Sequence, residues 1–475
     1  MRGFSHGRRL AARSRRRPLP GRVIASAPVT RWLRALLACG VLGLPALASG
    51  QPSESRAPDP AAQRVDAASV RVVVPQRPYL RRRAAQLSDE LRTPDDRSKS
   101  WLAWEHATGD WGGQRPRLHE RGIIPGLEFT GQLFSNLRGG LTTSDATHAA
   151  GLASLWLSLD TTRLGLWHGG TAFLLAEHQD GQGVSGEVGS LADIGTLDGS
   201  PAHFTQLAAY YFQQSFFDDR LVARFGKADA NDGFVDSELA ALFLNGDFAP
   251  PSNVPMPTYP EPALGLAVFA DPAHWLTLAA AAYGADLDAH ENGGAGLFRG
   301  RVFAIAELTL HAHPFGQSGH YNAGVWLRTV DTPDPRDPPG GRSFERNYGA
   351  YLLLEQRLSA EHPKRPDQGL GAWFQLTWAP ADRNLNDLWV GGGFVYTGLV
   401  PGRDHDDLGL GVSSASLTAG PDGTGQPAPE LVFECFYAIQ LAPWLALQPD
   451  VQVVVDPAAG GRDAVVVGAQ LSIDL

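Results

Sequence analysis

From Val465 to Leu475 the chain changes character at every step. Val465, Val467, Ala469, Leu471, Ile473 and Leu475 are apolar, while Val466, Gly468, Gln470, Ser472 and Asp474 are mostly small or polar. Side chains along a strand point to opposite faces with a period of two, so this segment has one apolar and one mostly polar face. The pattern returns upstream, where Leu431, Phe433, Cys435, Tyr437, Ile439 and Leu441 share one face and Glu434 and Gln440 share the other. Alternating strands of about ten residues separated by turns are what a transmembrane β-barrel requires. A soluble sandwich alternates as well, with its polar face outside, and one strand does not say which face is which.

The chain has 475 residues, suited to a large barrel plus extras. No apolar run of about 18 residues follows the N-terminal region, which excludes helical membrane spans for the mature chain. Residues 1–48 hold ten Arg, no Lys and no acid, and the apolar stretch ALLACGVLGLPALA ends in the small-x-small triplet Ala46-Leu47-Ala48. They read as a secretory signal peptide with a long basic leader. Removing them takes the net charge from −10 to about −20, because ten Arg leave and no acid does. An exported acidic protein argues against nucleic acid as a partner. Cys39 sits in a segment like a lipoprotein box, but the apolar run before it is short. Cys435 is then the only mature cysteine, without an intramolecular disulfide partner.

Residues 49–100 are rich in Pro, Arg, Ser and Asp and read as a flexible periplasmic extension. Residues 101–122 form a short pre-barrel segment, and 123–475 read as the barrel. Sixteen candidate strands follow residue 120, from 126–136 to 463–475. Tight turns are expected at 217–219, 271–273 and 442–443, and long loops at 180–202, 230–260, 286–297, 331–345 and 418–428. Short turns at one end and long loops at the other are the layout of an outer-membrane barrel. The fold class expected is therefore all-β, a 16-stranded antiparallel transmembrane β-barrel.

The segment Thr108-Gly109-Asp110-Trp111-Gly112-Gly113, followed by Arg115 and Leu118, resembles the opening of the carbohydrate-selective porin (OprB) family. The resemblance continues through Phe225-Gly226-Lys227-Ala228-Asp229-Ala230-Asn231, then Tyr396 to Arg403 with Asp407 to Gly411, and ends in Pro443 to Gln452 with Asp456-Pro457. It implies a Gram-negative outer-membrane barrel that passes small mono- or oligosaccharides by diffusion, as a homotrimer or a monomer, through a constriction lined by Arg and Glu. Barrels of this kind usually end in Phe or Trp, and the last residue here is Leu475.

In a pore, function lies on the inward face. Alternation turns Arg301, Glu307 and Thr309 inward, then Asn322, Trp326 and Arg328, then Tyr351, Glu355 and Arg357, then Glu434 and Gln440. It does the same for Gln448, Asp450 and Gln452, and for Glu128, Thr130 and Gln132. Sugar hydroxyls donate and accept hydrogen bonds, which charged partners strengthen, and sugar C–H faces lie against aromatic rings. Arg301, Glu307, Arg328, Glu355 and Glu434 are accordingly the expected pore-lining residues, with Trp326 as the stacking platform. Charges of both signs would avoid making a strong ion selector. If Glu434 faces open water, Glu434→Gln leaves folding nearly unchanged.

The 230–260 segment contains Phe234, Leu242-Phe243-Leu244 and Phe248, too apolar to float in water. It either folds into the barrel and narrows it, or packs on the rim or a neighbouring subunit. His311 and His313 share a strand face, but two His without a third ligand do not lead us to expect a metal. No nucleophile elbow, phosphate-binding Gly loop or zinc motif appears, so no catalytic residue and no cofactor are expected. The competing readings are a non-conducting structural or adhesive outer-membrane barrel, favoured by the 49–100 extension, and a barrel enzyme, for which no Ser–His pairing is found.

Overall fold

Two-faced strands without an edge are obtained by closing the sheet on itself, and this chain does so. The computed structural model describes residues 100–475 except 199–201, 286–298, 339, 362–364, 366–367 and 419–427. The expected signal peptide and nearly all of the periplasmic extension lie outside the described residues. Nine strands run in order: β1 (Ile123–Gly140), β2 (Thr147–Asp160), β3 (Gly170–Gly181), β4 (Phe204–Phe216), β5 (Leu221–Ala228), β6 (Ala263–Ala273), β7 (Leu276–Gly284), β8 (Val302–Ala312) and β9 (Gly319–Arg328). A two-residue hairpin, β10 (Thr332–Pro333) and β11 (Ser343–Phe344), interrupts the next long loop. Seven more strands follow: β12 (Asn347–Arg357), β13 (Gly369–Trp378), β14 (Asn386–Thr397), β15 (Asp407–Leu417), β16 (Glu430–Ala442), β17 (Leu445–Val455) and β18 (Arg462–Asp474). Without the hairpin these are sixteen strands in one closed barrel, each paired with its neighbours and β18 paired back onto β1. Every expected strand is present. Among the tight turns, β6 runs on through 271–273, so its reversal falls at His274–Trp275, and β16 runs on through Ala442, so its reversal falls at Pro443–Trp444.

The alternation sorts residues as the sequence requires. Leu155, Phe225, Val325 and Phe394 are exposed on the outer wall, while Thr130, Ser154, Glu307 and Gln375 are buried inside. An apolar outer band and a polar interior match a lipid-embedded barrel.

The pre-barrel segment fastens the seam where β1 meets β18. Its Gly-rich motif is a tight reversal: Gly109, Trp111, Gly112 and Gly113 all have positive φ, a region glycine enters without steric cost. The Asp110 carboxylate accepts from Gly112 N at 2.9 Å. Helix α1 (Gln114–Glu120) follows and carries Arg115, which is buried. Its Nη2 donates to the Leu475 carbonyl oxygen at 2.7 Å, and its guanidinium lies 4.3 Å over the Trp111 ring. Ala107 N donates to Asp474 O at 2.9 Å, and Trp101 packs 4.3 Å from Trp444 on the β16–β17 turn. Removing a charged hydrogen bond of this kind costs about 1.5–3 kcal/mol. Arg115→Ala is therefore expected to lower the temperature at which the barrel converts to its heat-denatured gel form, with single-channel conductance unchanged. An unshifted conversion temperature would refute the fastening role.

Candidate functional site: an inward-folded loop and the passage beside it

The 229–262 loop, whose direction the sequence left open, turns into the barrel. Asp229 closes its neck. One carboxylate oxygen accepts from Asn231 N at 2.8 Å, and the other accepts from Thr258 Oγ1 at 3.0 Å and Tyr259 N at 2.9 Å. Asn231 Nδ2 donates to the carbonyls of Phe234 and Val235, curling the chain inward. The family-like Asp229-Ala230-Asn231 block thus has a physical task, which is to tie both ends of the loop together.

Three wall glutamates then hold the loop backbone. Val235 N donates to Glu307 Oε2 at 3.0 Å. Ser237 Oγ and Leu239 N donate to Glu355 Oε2 at 2.8 and 2.9 Å. Leu244 N and Asn245 N donate to the two oxygens of Glu434 at 2.6 and 3.0 Å. On its return the loop meets β14, where Trp389 Nε1 donates to Asp247. The apolar side chains that cannot float are accounted for as well. Phe243 packs edge-on against Phe436 and Trp373, with centroids 5.0 and 5.4 Å apart. Close seating needs bare wall backbone: a Cβ on Gly371 would lie 2.6 Å from Leu239, and one on Gly411 would lie 2.6 Å from Phe243.

A second loop also bends inward over its described residues 182–198. Glu430 accepts from Leu191 N and Ser190 Oγ, and Gln132 Nε2 donates to Thr196 Oγ1 at 2.8 Å. The two loops join where Gly246 N donates to Asp193 O at 2.7 Å.

What stays open lies on the other side of the lumen. A cavity of about 400 Å³ runs between these loops and the inner wall formed by β17, β18, β1, β3 and β4. That volume falls within the range of small-ligand pockets, about 300–1,000 Å³. Its lining includes the carboxylates of Glu128, Glu177, Asp193, Asp229, Asp232 and Asp474. Gln448, Gln470, Thr130, Ser472 and Tyr259 add amides and hydroxyls, and among the described residues the lining contains no Arg or Lys. Two cations on β5 are tied to other partners. Arg224 Nη1 is 4.0 Å from Asp232 beneath the Tyr211 ring, and Lys227 Nζ donates to Leu207 O. In the second loop, burial and then the neighbouring Asp198 raise the Asp193 carboxyl to about 6.

None of the six residues chosen from the sequence borders this cavity. Glu307, Glu355 and Glu434 face inward, but their carboxylates hold the loop. Trp326 is 3 % exposed, stacked 6.3 Å from Phe303 in the core beneath the loop, so its ring offers no open face. Arg328 Nη2 donates to Ala285 O at 3.1 Å, and Arg301 is exposed just before β8. The expected mixture of Arg and Glu is replaced by acids, amides and hydroxyls. Glu128, Thr130 and Gln448 were legible as inward-facing. What singled them out was only the side of the lumen the loop leaves open.

Comparison with known proteins gives one consistent result. The model of the "Carbohydrate-selective porin, OprB family" matches residues 146–475. Porin B of Pseudomonas aeruginosa is 23% identical over 407 residues, covering 75% of this chain and 87% of that protein. The putative porin QuiX of Acinetobacter baylyi is 22% identical over 428 residues, covering 79% and 93%. Among solved structures, the high-pH form of Pseudomonas putida OprB superposes with a TM-score of 0.72 at 21% identity, covering 79% of this chain and 100% of that one.

Proposed function

Because this chain belongs to the carbohydrate-selective porin (OprB) family of outer-membrane channels, we propose that small neutral sugars cross it through the acidic cavity beside the inward loop. The observation that carries this reading is the lining itself. Carboxylates and amide oxygens accept from sugar hydroxyls, and the amide nitrogens of Gln448 and Gln470 and the hydroxyls of Thr130 and Ser472 donate. Such contacts exchange readily with water, which suits diffusion rather than tight binding. Residues 1–48 act as the export signal in the same reading.

Rings of Asp and Glu favour cations and neutral solutes over anions. In liposome-swelling assays glucose is therefore expected to enter severalfold faster than glucuronate. Glu128→Gln should narrow that ratio and move the reversal potential in a salt gradient toward zero. Equal entry of the two solutes, or an anion-preferring reversal potential, would place the path elsewhere.

A further inference from the structure

Four side chains form a row on the inward face at the periplasmic end of β6, β7, β8 and β9: Asp271, Thr277, His311 and His320. Thr277 Oγ1 donates to Asp271 Oδ1 at 2.6 Å and lies 2.9 Å from His311 Nε2. His311 Nδ1 lies 2.9 Å from His320 Nδ1. The hydroxyl has one hydrogen, and it points to the carboxylate. His311 Nε2 is then the donor to Thr277, and in the neutral ring its Nδ1 carries a lone pair. The hydrogen between the two rings belongs to His320 Nδ1.

We propose that His311 and His320 form a two-histidine site for a divalent transition-metal ion of the Zn²⁺, Cu²⁺ or Ni²⁺ class, which takes the place of that hydrogen. The two residues face each other directly in the β8–β9 ladder, so the backbone fixes their spacing. With metal–nitrogen bonds of about 2.0–2.1 Å, a tetrahedral ion sets its two nitrogens about 3.3–3.4 Å apart. The nitrogens need to separate by about 0.4–0.5 Å, and because the rings meet nearly head-on, with centroids 5.1 Å apart, each must also swing by about 35° to turn its lone pair onto a tetrahedral ion. Thr277 and Asp271 orient His311 through its other nitrogen, the outer-shell arrangement typical of metal-bound imidazole. Imidazole ligands suit this class of ion and not Mg²⁺ or Ca²⁺. On binding, the Nδ1 hydrogen of His320 passes by way of water to Nε2, so both rings stay neutral. Among the described residues no group of three or more His, Cys, Asp or Glu could hold a metal, so water fills the remaining positions. His320 is exposed at the mouth, where water reaches it.

The test titrates the intact barrel in detergent with Cu²⁺ and follows paramagnetic resonance. One ion per barrel with two-nitrogen ligation is expected, lost in both His311→Gln and His320→Gln. Thr277→Val, which leaves both rings in place, should weaken binding about tenfold or more, as loss of an outer-shell partner does. His313→Gln should leave the signal intact, since His313 lies in the turn beyond β8. Retention of heat-modifiable gel migration shows that each variant is folded. A Cu²⁺ spectrum and stoichiometry in His320→Gln identical to those of the unmodified barrel would overturn the proposal.

Discussion

Glu434→Ala is expected to enlarge the channel. The carboxylate of Glu434 is 3 % exposed and accepts from Leu244 N and Asn245 N, so its removal leaves two buried backbone donors without acceptors. Each such orphan costs about 1–3 kcal/mol, or roughly 2–6 kcal/mol for the pair. The barrel ladders do not depend on these bonds, because β16 pairs with β15 and β17 through its own backbone. The cost therefore falls on the loop. Once its crossing point is released, the segment around Leu242-Phe243-Leu244 leaves the wall and the lumen widens. Single-channel conductance should rise severalfold, protease should cut within 229–262, and heat-modifiable migration should persist. Glu434→Gln should be intermediate, since its amide oxygen serves one donor while its NH₂ confronts the other. The expectation for a hydrated lumen carboxylate, whose neutralisation leaves folding nearly unchanged, thus holds for the barrel but not for the loop that Glu434 seats. Unchanged conductance in Glu434→Ala would mean that the loop holds its place without this anchor.

Local chemistry determined which parts of the molecule were legible from the sequence. Strand number and inward face follow from a period of two, which each strand states by itself, and the closed barrel realises all sixteen strands. The loop could be read as buried, because Phe243 and Phe248 have no place in water, but not as buried against Trp373 and Phe436. That pairing depends on bare glycines such as Gly411 on one wall and on Asp229 tying the loop's neck, and no alternation reports either. Where the chosen site residues stand relative to the cavity was not legible for the same reason. Alternation gives the side of the wall on which a residue stands, and Trp326 and Glu307 do stand inside. It does not tell which part of the inner wall the loop will cover. A carboxylate such as Glu355 then becomes an anchor for backbone amides, while Glu128, on the uncovered wall, borders the cavity.

The outer face is tested by a charge placed in lipid. Val451 sits at the centre of β17, 45 % exposed, flanked across the ladders by Cys435 and Val467 on the same apolar band. Val451→Arg is expected to destabilise the barrel by about 2–4 kcal/mol, the cost of Arg at the bilayer midplane. Phe433 is also outward-facing, but it lies one step nearer the extracellular end, opposite Val453. The cost falls to about 0–1 kcal/mol near the interface, so Phe433→Arg should cost less than Val451→Arg. The gradient matters more than either value. A soluble barrel exposing Val451 to water would tolerate both changes within a few tenths of a kcal/mol, as surface substitutions usually are. Reversible urea unfolding from lipid vesicles measures both variants on one scale. Equal and negligible costs would remove the lipid from this face, and with it the inside-out order on which the passage, the loop anchors and the histidine pair all depend.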